Sequence, residues 1–156
     1  MKHFIAAAVL AMAPLATSGT AHEFELGSLS IDHPMAFETA PSARAGAGYL
    51  TVTNNGEEVD RLIEVRADFP KVGIHGMKDE DGVMKMYPLE NGVEIPAGET
   101  VELTPGGMHV MFMGITDGPL EEGEKIPATL VFEKAGEIEV EFNIEKRPEH
   151  GETHEH

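Results

Sequence analysis

Three pairs of residues carry the chemistry that this sequence offers: His75 with Met77, Met84 with Met86, and His109 with Met111. Each pair is spaced i, i+2, and in an extended strand that spacing projects both side chains to one face. The last pair lies in "GGMHVMFMG", Gly106 to Gly114. There Met108, Val110 and Phe112 fall on one parity and His109, Met111 and Met113 on the other. One face of such a strand is ordinary core. The other is poor core material, because a buried imidazole must find hydrogen bonds. It is good ligand material: thioether sulfur is soft and selects Cu(I), and imidazole suits copper in either oxidation state. Zn(II) and Fe(II) call instead for thiolate, more histidines or carboxylates. A methionine by itself is commonly a core filler. The grouping is what points to copper, since six of the nine methionines lie between Met77 and Met113 beside two histidines.

Such pairs need strands to hold them, and the chain reads as short strands throughout. "FELGSLSIDHP" alternates and ends at a proline, and "GAGYLTVTNNGEE" runs into an Asn-Asn-Gly turn. "DRLIEVRADFP" is strand-like. "KVGIHGM" sets Val72 and Ile74 against His75 and Met77. "DGVMKMYPL" follows an Asp-Gly pair, the strongest short hairpin signal. Its own parity is mixed, since Val83 shares a face with Lys85 and Tyr87. "GVEIPAGETVELTPGGMHVMFMG" reads as three strands broken by "PAGE" and "PGG". "KIPATLVFEKAGEIEVEFNIEK" reads as a hairpin whose second arm alternates Ile138, Val140, Phe142 and Ile144 with polar residues. About nine strands at regular spacing, with no amphipathic helix, predict an all-β fold: an antiparallel Greek-key β-sandwich.

The ends read differently. Residues 1–21 have a lysine near the start, an apolar run from Phe4 to Ala16, and small residues up to Ala21. That is the layout of a secretory signal peptide, too short to be a comfortable membrane span. It predicts export to the periplasm and a mature chain starting at His22, with residues 22–146 forming one domain. No other stretch is apolar enough for a membrane helix. The absence of cysteine excludes a lipid anchor on a cysteine, thiol redox chemistry and a blue-copper centre, which needs a thiolate. Residues 147–156, "RPEHGETHEH", hold no apolar side chain and predict a disordered, His-rich tail. The formal charge of −17 argues against nucleic-acid partners and against binding anionic membrane surfaces.

With the order His75, Met86 and then "HVM" at His109 to Met111, the chain resembles the periplasmic copper chaperones of the PCu(A)C family. The block from Ile74 to Gly114 is similar to that family almost throughout, and "HPMA" and "GAGYLTVTN" are similar to its N-terminal strands. The resemblance implies a cupredoxin-like sandwich and Cu(I) delivery toward the copper centres of respiratory oxidases. It implies partners that give or receive copper during oxidase assembly, and His75, Met86, His109 and Met111 as the ligands. Two positions depart from the family pattern. Met35 stands where a tryptophan is usual after His-Pro, and Gly76 where a residue such as glutamate is usual.

No nucleophile elbow, Gly-rich phosphate loop or metalloprotease-type His motif is present, so the expectation is a carrier rather than an enzyme, acting as a monomer. An alternative is a buffering protein that holds Cu(II) through His150, His154 and His156 of the tail, or through His22 at the mature N-terminus.

Overall fold

In the computed structural model, which describes residues 23–148, every helix-or-strand element is a strand. In chain order they are β1 (Glu23–Leu26), β2 (Leu29–Phe37), β3 (Ala45–Asn54), β4 (Asp60–Ala67), β5 (Lys71–Glu80) and β6 (Val83–Pro88). They continue with β7 (Val93–Ile95), β8 (Thr100–Leu103), β9 (His109–Met113), β10 (Lys125–Phe132) and β11 (Gly136–Glu145). The count exceeds the expected one partly because "FELGSLSIDHP" is two strands. Gly27, at φ 59°, turns the chain between Leu26 and Leu29. Nor does the second of these strands stop at its proline. It runs on through Pro34 to Phe37, by way of a bulge between Asp32 and Met35 where His33 takes φ 47°.

The strands hydrogen-bond in the order β6-β5-β9-β3-β2-β11-β10-β4-β7, with β1 added to β2 and β8 to β3. Six of these ten pairings join strands that are not consecutive in the chain, as in Greek-key arrangements. The pairing departs from the purely antiparallel expectation in one place. The end of β11 (Asn143, Ile144, Glu145) lies parallel to Met35, Ala36 and Phe37 of β2.

β9 and β11, three strands apart in this order, meet across the core. The rings of Phe112 and Phe142 meet edge to face at 5.4 Å, and Phe69 caps Phe112 at 5.1 Å. Phe112, Phe142, Val110, Ile31, Val52, Leu62, Ile95 and Leu130 are wholly shielded from solvent. Gly48 of β3 lies beneath the two rings. A Cβ there would come within 2.8 Å of Phe112 and 3.0 Å of Phe142, so only glycine fits without moving them. At the far side of the fold the buried Asp60 carboxylate accepts backbone N–H groups of Arg61, Lys134 and Ala135, which ties the start of β4 to the β10–β11 turn. Among the described residues there is no helix long and apolar enough to cross a membrane.

Three strands at one end position the His/Met set. β9 is held between β3 and β5, and β6 is an outer edge that pairs with β5 alone.

Candidate metal centre

Strand β9 uses both of its faces, as its alternation predicts. Val110 and Phe112 point into the core, and Met108 packs against the same core. His109, Met111 and Met113 occupy the other face. His109 is nevertheless only 7% exposed, because neighbouring strands crowd it. Its Nδ1–H donates to the carbonyl of Gly107 at 3.1 Å. That bond places the proton on Nδ1 and leaves Nε2 with a free lone pair, the tautomer a metal requires. Nε2 lies 3.2 Å from Sδ of Met86. Two lone-pair donors thus face each other with no proton between them, an arrangement that a shared soft cation resolves.

β5 supplies the second imidazole. The Asp81-Gly82 pair, at φ 55° and φ 83°, makes a two-residue turn of the left-handed kind that suits hairpins. This turn sets Met77 directly opposite Met86 and His75 opposite Pro88. On the other side of β5, His75 pairs with His109 and Gly73 with Met111. The two imidazoles meet edge to face, with centroids 5.8 Å apart. Nδ1 of His75 is buried and has no hydrogen-bond partner. An orphaned buried nitrogen is costly unless it has a purpose, and ligation is one. Burial, and after it electrostatic coupling to the neighbouring His109 ring and to Lys71, hold the His75 pKa below the ordinary imidazole value, so the neutral, ligating form is favoured.

His75, Met86 and His109 are therefore brought into one cluster. Met111 lies on the same face, two residues beyond His109 and opposite Gly73. Among the described residues no group of three or more His, Cys, Asp or Glu side chains could hold a metal ion. The donor set of two imidazoles and two thioethers is neutral and soft, as Cu(I) prefers.

The other methionines and histidines fall out as follows. Met77, singled out by its spacing from His75 but outside the ligand set that the resemblance implies, faces Met86 across the hairpin. The two-residue turn is the signal for that opposition. Met84 pairs with Asp79 nearer the hairpin tip and is 54% exposed. Met113 pairs with Lys71 and Ala45, beyond the cluster. Met35, the first departure from the family pattern, is buried in β2 opposite Tyr49, with β3 between it and β9. It adds no sulfur to the cluster. Gly76, the second, has a steric reason: the ring of Tyr87 lies over it, and a Cβ would sit 2.9 Å from that ring. His33 pairs with Glu145 at 3.0 Å. His22, His150, His154 and His156, and with them the Cu(II) alternative, lie outside the described residues, as does the signal segment. Arg147, assigned to the tail, is anchored instead. Its guanidinium lies over the Phe37 ring at 5.4 Å, and its N–H reaches Glu38 at 3.4 Å.

Comparison with known proteins places the fold among relatives. The model of a family described as "Putative lipoprotein LpqE-like" matches residues 29–144. A Leifsonia xyli subsp. xyli protein named as lipoprotein Lxx21020 is 44% identical over 59 residues, 38% of this chain and 35% of its own length. The match thus spans about a third of that relative. Among solved structures, the apo PCuAC domain from PmoF1 superposes with a TM-score of 0.68 at 30% identity, covering 81% of this chain and all of the domain. The copper-bound PCuAC domain from PmoF2 gives 0.66 at 30% identity, over 81% of this chain and 99% of the domain. The Cu(I) form of DR1885 from Deinococcus radiodurans gives 0.58 at 26% identity, over 86% of this chain and 87% of that one. With a family model matched across the sandwich, and a PCuAC domain covered from end to end, this chain belongs to the LpqE-like, PCu(A)C family of copper-chaperone proteins.

Proposed function

We propose that the protein is an exported carrier of Cu(I), which holds the ion between β9, β5 and β6 and passes it on toward the copper centres of respiratory oxidases. His109 and Met86 are the central ligands, with His75 and Met111 completing the set. The observation that carries this reading is the pair of facing donors, His109 Nε2 and Met86 Sδ, 3.2 Å apart with the His109 proton held on the opposite nitrogen. Relatives support it: one matched domain is described as copper-bound and another protein as the Cu(I) form. The lipoprotein names of two matches support export. A periplasmic address and the monomeric state belong to the same proposal. The cargo is soft, monovalent and not consumed, so the protein needs no substrate position beyond the ligands themselves.

X-ray absorption of the Cu(I)-loaded mature protein, prepared anaerobically, tests the site. Mixed sulfur and imidazole scattering is expected, with the sulfur contribution reduced in Met86→Ala and Met111→Ala and the imidazole contribution reduced in His75→Ala and His109→Ala. A spectrum that none of these four substitutions changes would place the copper elsewhere.

A further inference from the structure

Four of the six large hydrophobic side chains exposed among the described residues lie on one six-residue strand, β6: Val83, Met84, Met86 and Tyr87. This strand pairs with β5 alone and leaves its other edge open. Proteins blunt or cover such edges because they pair readily with other chains. The direction of the open groups follows from the ladder. The N–H of Leu89 donates to the carbonyl of Ile74 at 2.8 Å, so the odd-numbered residues of β6 bond toward β5. The backbone groups of Met84 and Met86 therefore face outward. One of these residues is a proposed copper ligand, and it is 49% exposed where His109 is 7% exposed.

The charge around the edge is also distinctive. The chain carries −17, yet Lys71 to Pro88 holds three lysines against three acids. On the face opposite the methionines, Lys78 and Lys85 are a cross-strand pair that shares the single carboxylate of Glu80, at 2.9 and 2.7 Å. Two ammonium groups on one carboxylate leave a positive charge on that face. A second copy of this chain paired about the middle of β6 would set Lys85 against Lys85 and bring two strongly acidic bodies together, which charge opposes.

Resting on the carrier reading above, we propose that the open edge of β6 is the copper-exchange port. It pairs with an extended segment of the partner protein in which soft donors flank an acidic residue. The acid lies opposite Lys85, and the donors lie opposite Met84 and Met86 on the copper face. Transfer is a ligand exchange. A dative bond from the incoming thioether to Cu(I) forms as the bond from Met86 Sδ breaks, with no change of oxidation state and no proton moved. The imidazoles, deeper in the sheet, let go later.

The test uses a synthetic peptide, Thr-Met-Glu-Met-Thr with blocked ends, and a control in which both Met amides are N-methylated. The control keeps the sulfurs and the charge but cannot bond to the edge. Added to the apo, full-length protein, the first peptide should slow hydrogen exchange at the Met84 and Met86 amides by about tenfold, as expected for two added backbone bonds, and the control should not. From Cu(I)-loaded protein, the first peptide should take copper about tenfold faster than the control. Lys85→Glu should abolish that advantage while leaving affinity against a small Cu(I) chelator unchanged. Unaltered amide exchange overturns the docking edge, and equal transfer to the two peptides overturns the exchange route. Failure of the unmodified protein to hold Cu(I) against the chelator would instead remove the carrier reading, and the apo exchange experiment distinguishes the two.

Discussion

Strands β9 and β6 both bring methionine to the proposed metal site, yet they are built in opposite ways. β9 sits between two neighbours, with Val110 and Phe112 sealed in the core and His109 sealed beneath the surface. β6 has one neighbour, and all six of its residues are exposed. A site made only of strands like β9 would hold copper well and exchange it slowly. A site made only of strands like β6 would have no fixed geometry. On the carrier reading, the difference divides holding and releasing between an inner strand, positioned by packing, and an outer strand, positioned only by its hairpin.

That division can be broken by mutation. Phe112→Ala should cost about 3–5 kcal/mol of stability, and Val110→Ala about 1–3 kcal/mol, since both leave cavities in a fully packed core. Chemical denaturation of the apo protein reads these losses. Comparable losses from substitutions in β6 would end the contrast. On the ligand side, His109→Ala should weaken Cu(I) binding by more than about 100-fold, beyond the usual effect of losing a supporting partner. Met86→Ala, which removes a half-exposed thioether, should weaken it by about tenfold. Competition with a Cu(I) chelator measures both, and a larger effect at Met86 would reverse the assignment of inner and outer roles.

Acidification should separate the strands further. The folded protein holds the His75 pKa below its ordinary value of about 6.5, so the unfolded chain takes up that proton first. Stability of the apo protein should therefore be level with respect to His75 above about pH 6.5 and fall as the pH drops from there toward the folded pKa. His75→Gln should remove this component. Denaturation at several pH values compares the two proteins, and parallel losses would mean that His75 is not held neutral by the fold. The smallest effect belongs to the edge: Val83→Ser should change stability by no more than about 0.5 kcal/mol, because the side chain is exposed and lies outside the core.

The legibility of the sequence follows the same line. β9 could be read residue by residue, since a strand with one face in the core and one on a ligand set alternates strictly. β6 could not, because an edge strand without a core face has no burial pattern to record. The local hairpin was legible through Asp81-Gly82, and with it the opposition of Met77 and Met86. The pairing of His75 with His109 was not, because strands so far apart in the chain leave no local mark of their register. The carbonyl of Gly107, which fixes the His109 tautomer, is a backbone group and carries no signature at all. The parallel contact of β11 with β2 was missed for the first of these reasons: it depends on where the last strand returns, not on its composition.

Gly73 has no ligand atom, and it lies opposite Met111 with the His75 ring beside it. A methyl group there would stand 3.4 Å from Nε2 of His75 and 3.8 Å from the terminal methyl of Met113. The room beside the imidazole is thus set by the smallest residue on the strand. On the carrier reading this gives metal access a second control apart from the donors: alanine at 73 would only touch the ring, whereas a longer side chain would fill the space beside the imidazole while every candidate donor stays in the sequence.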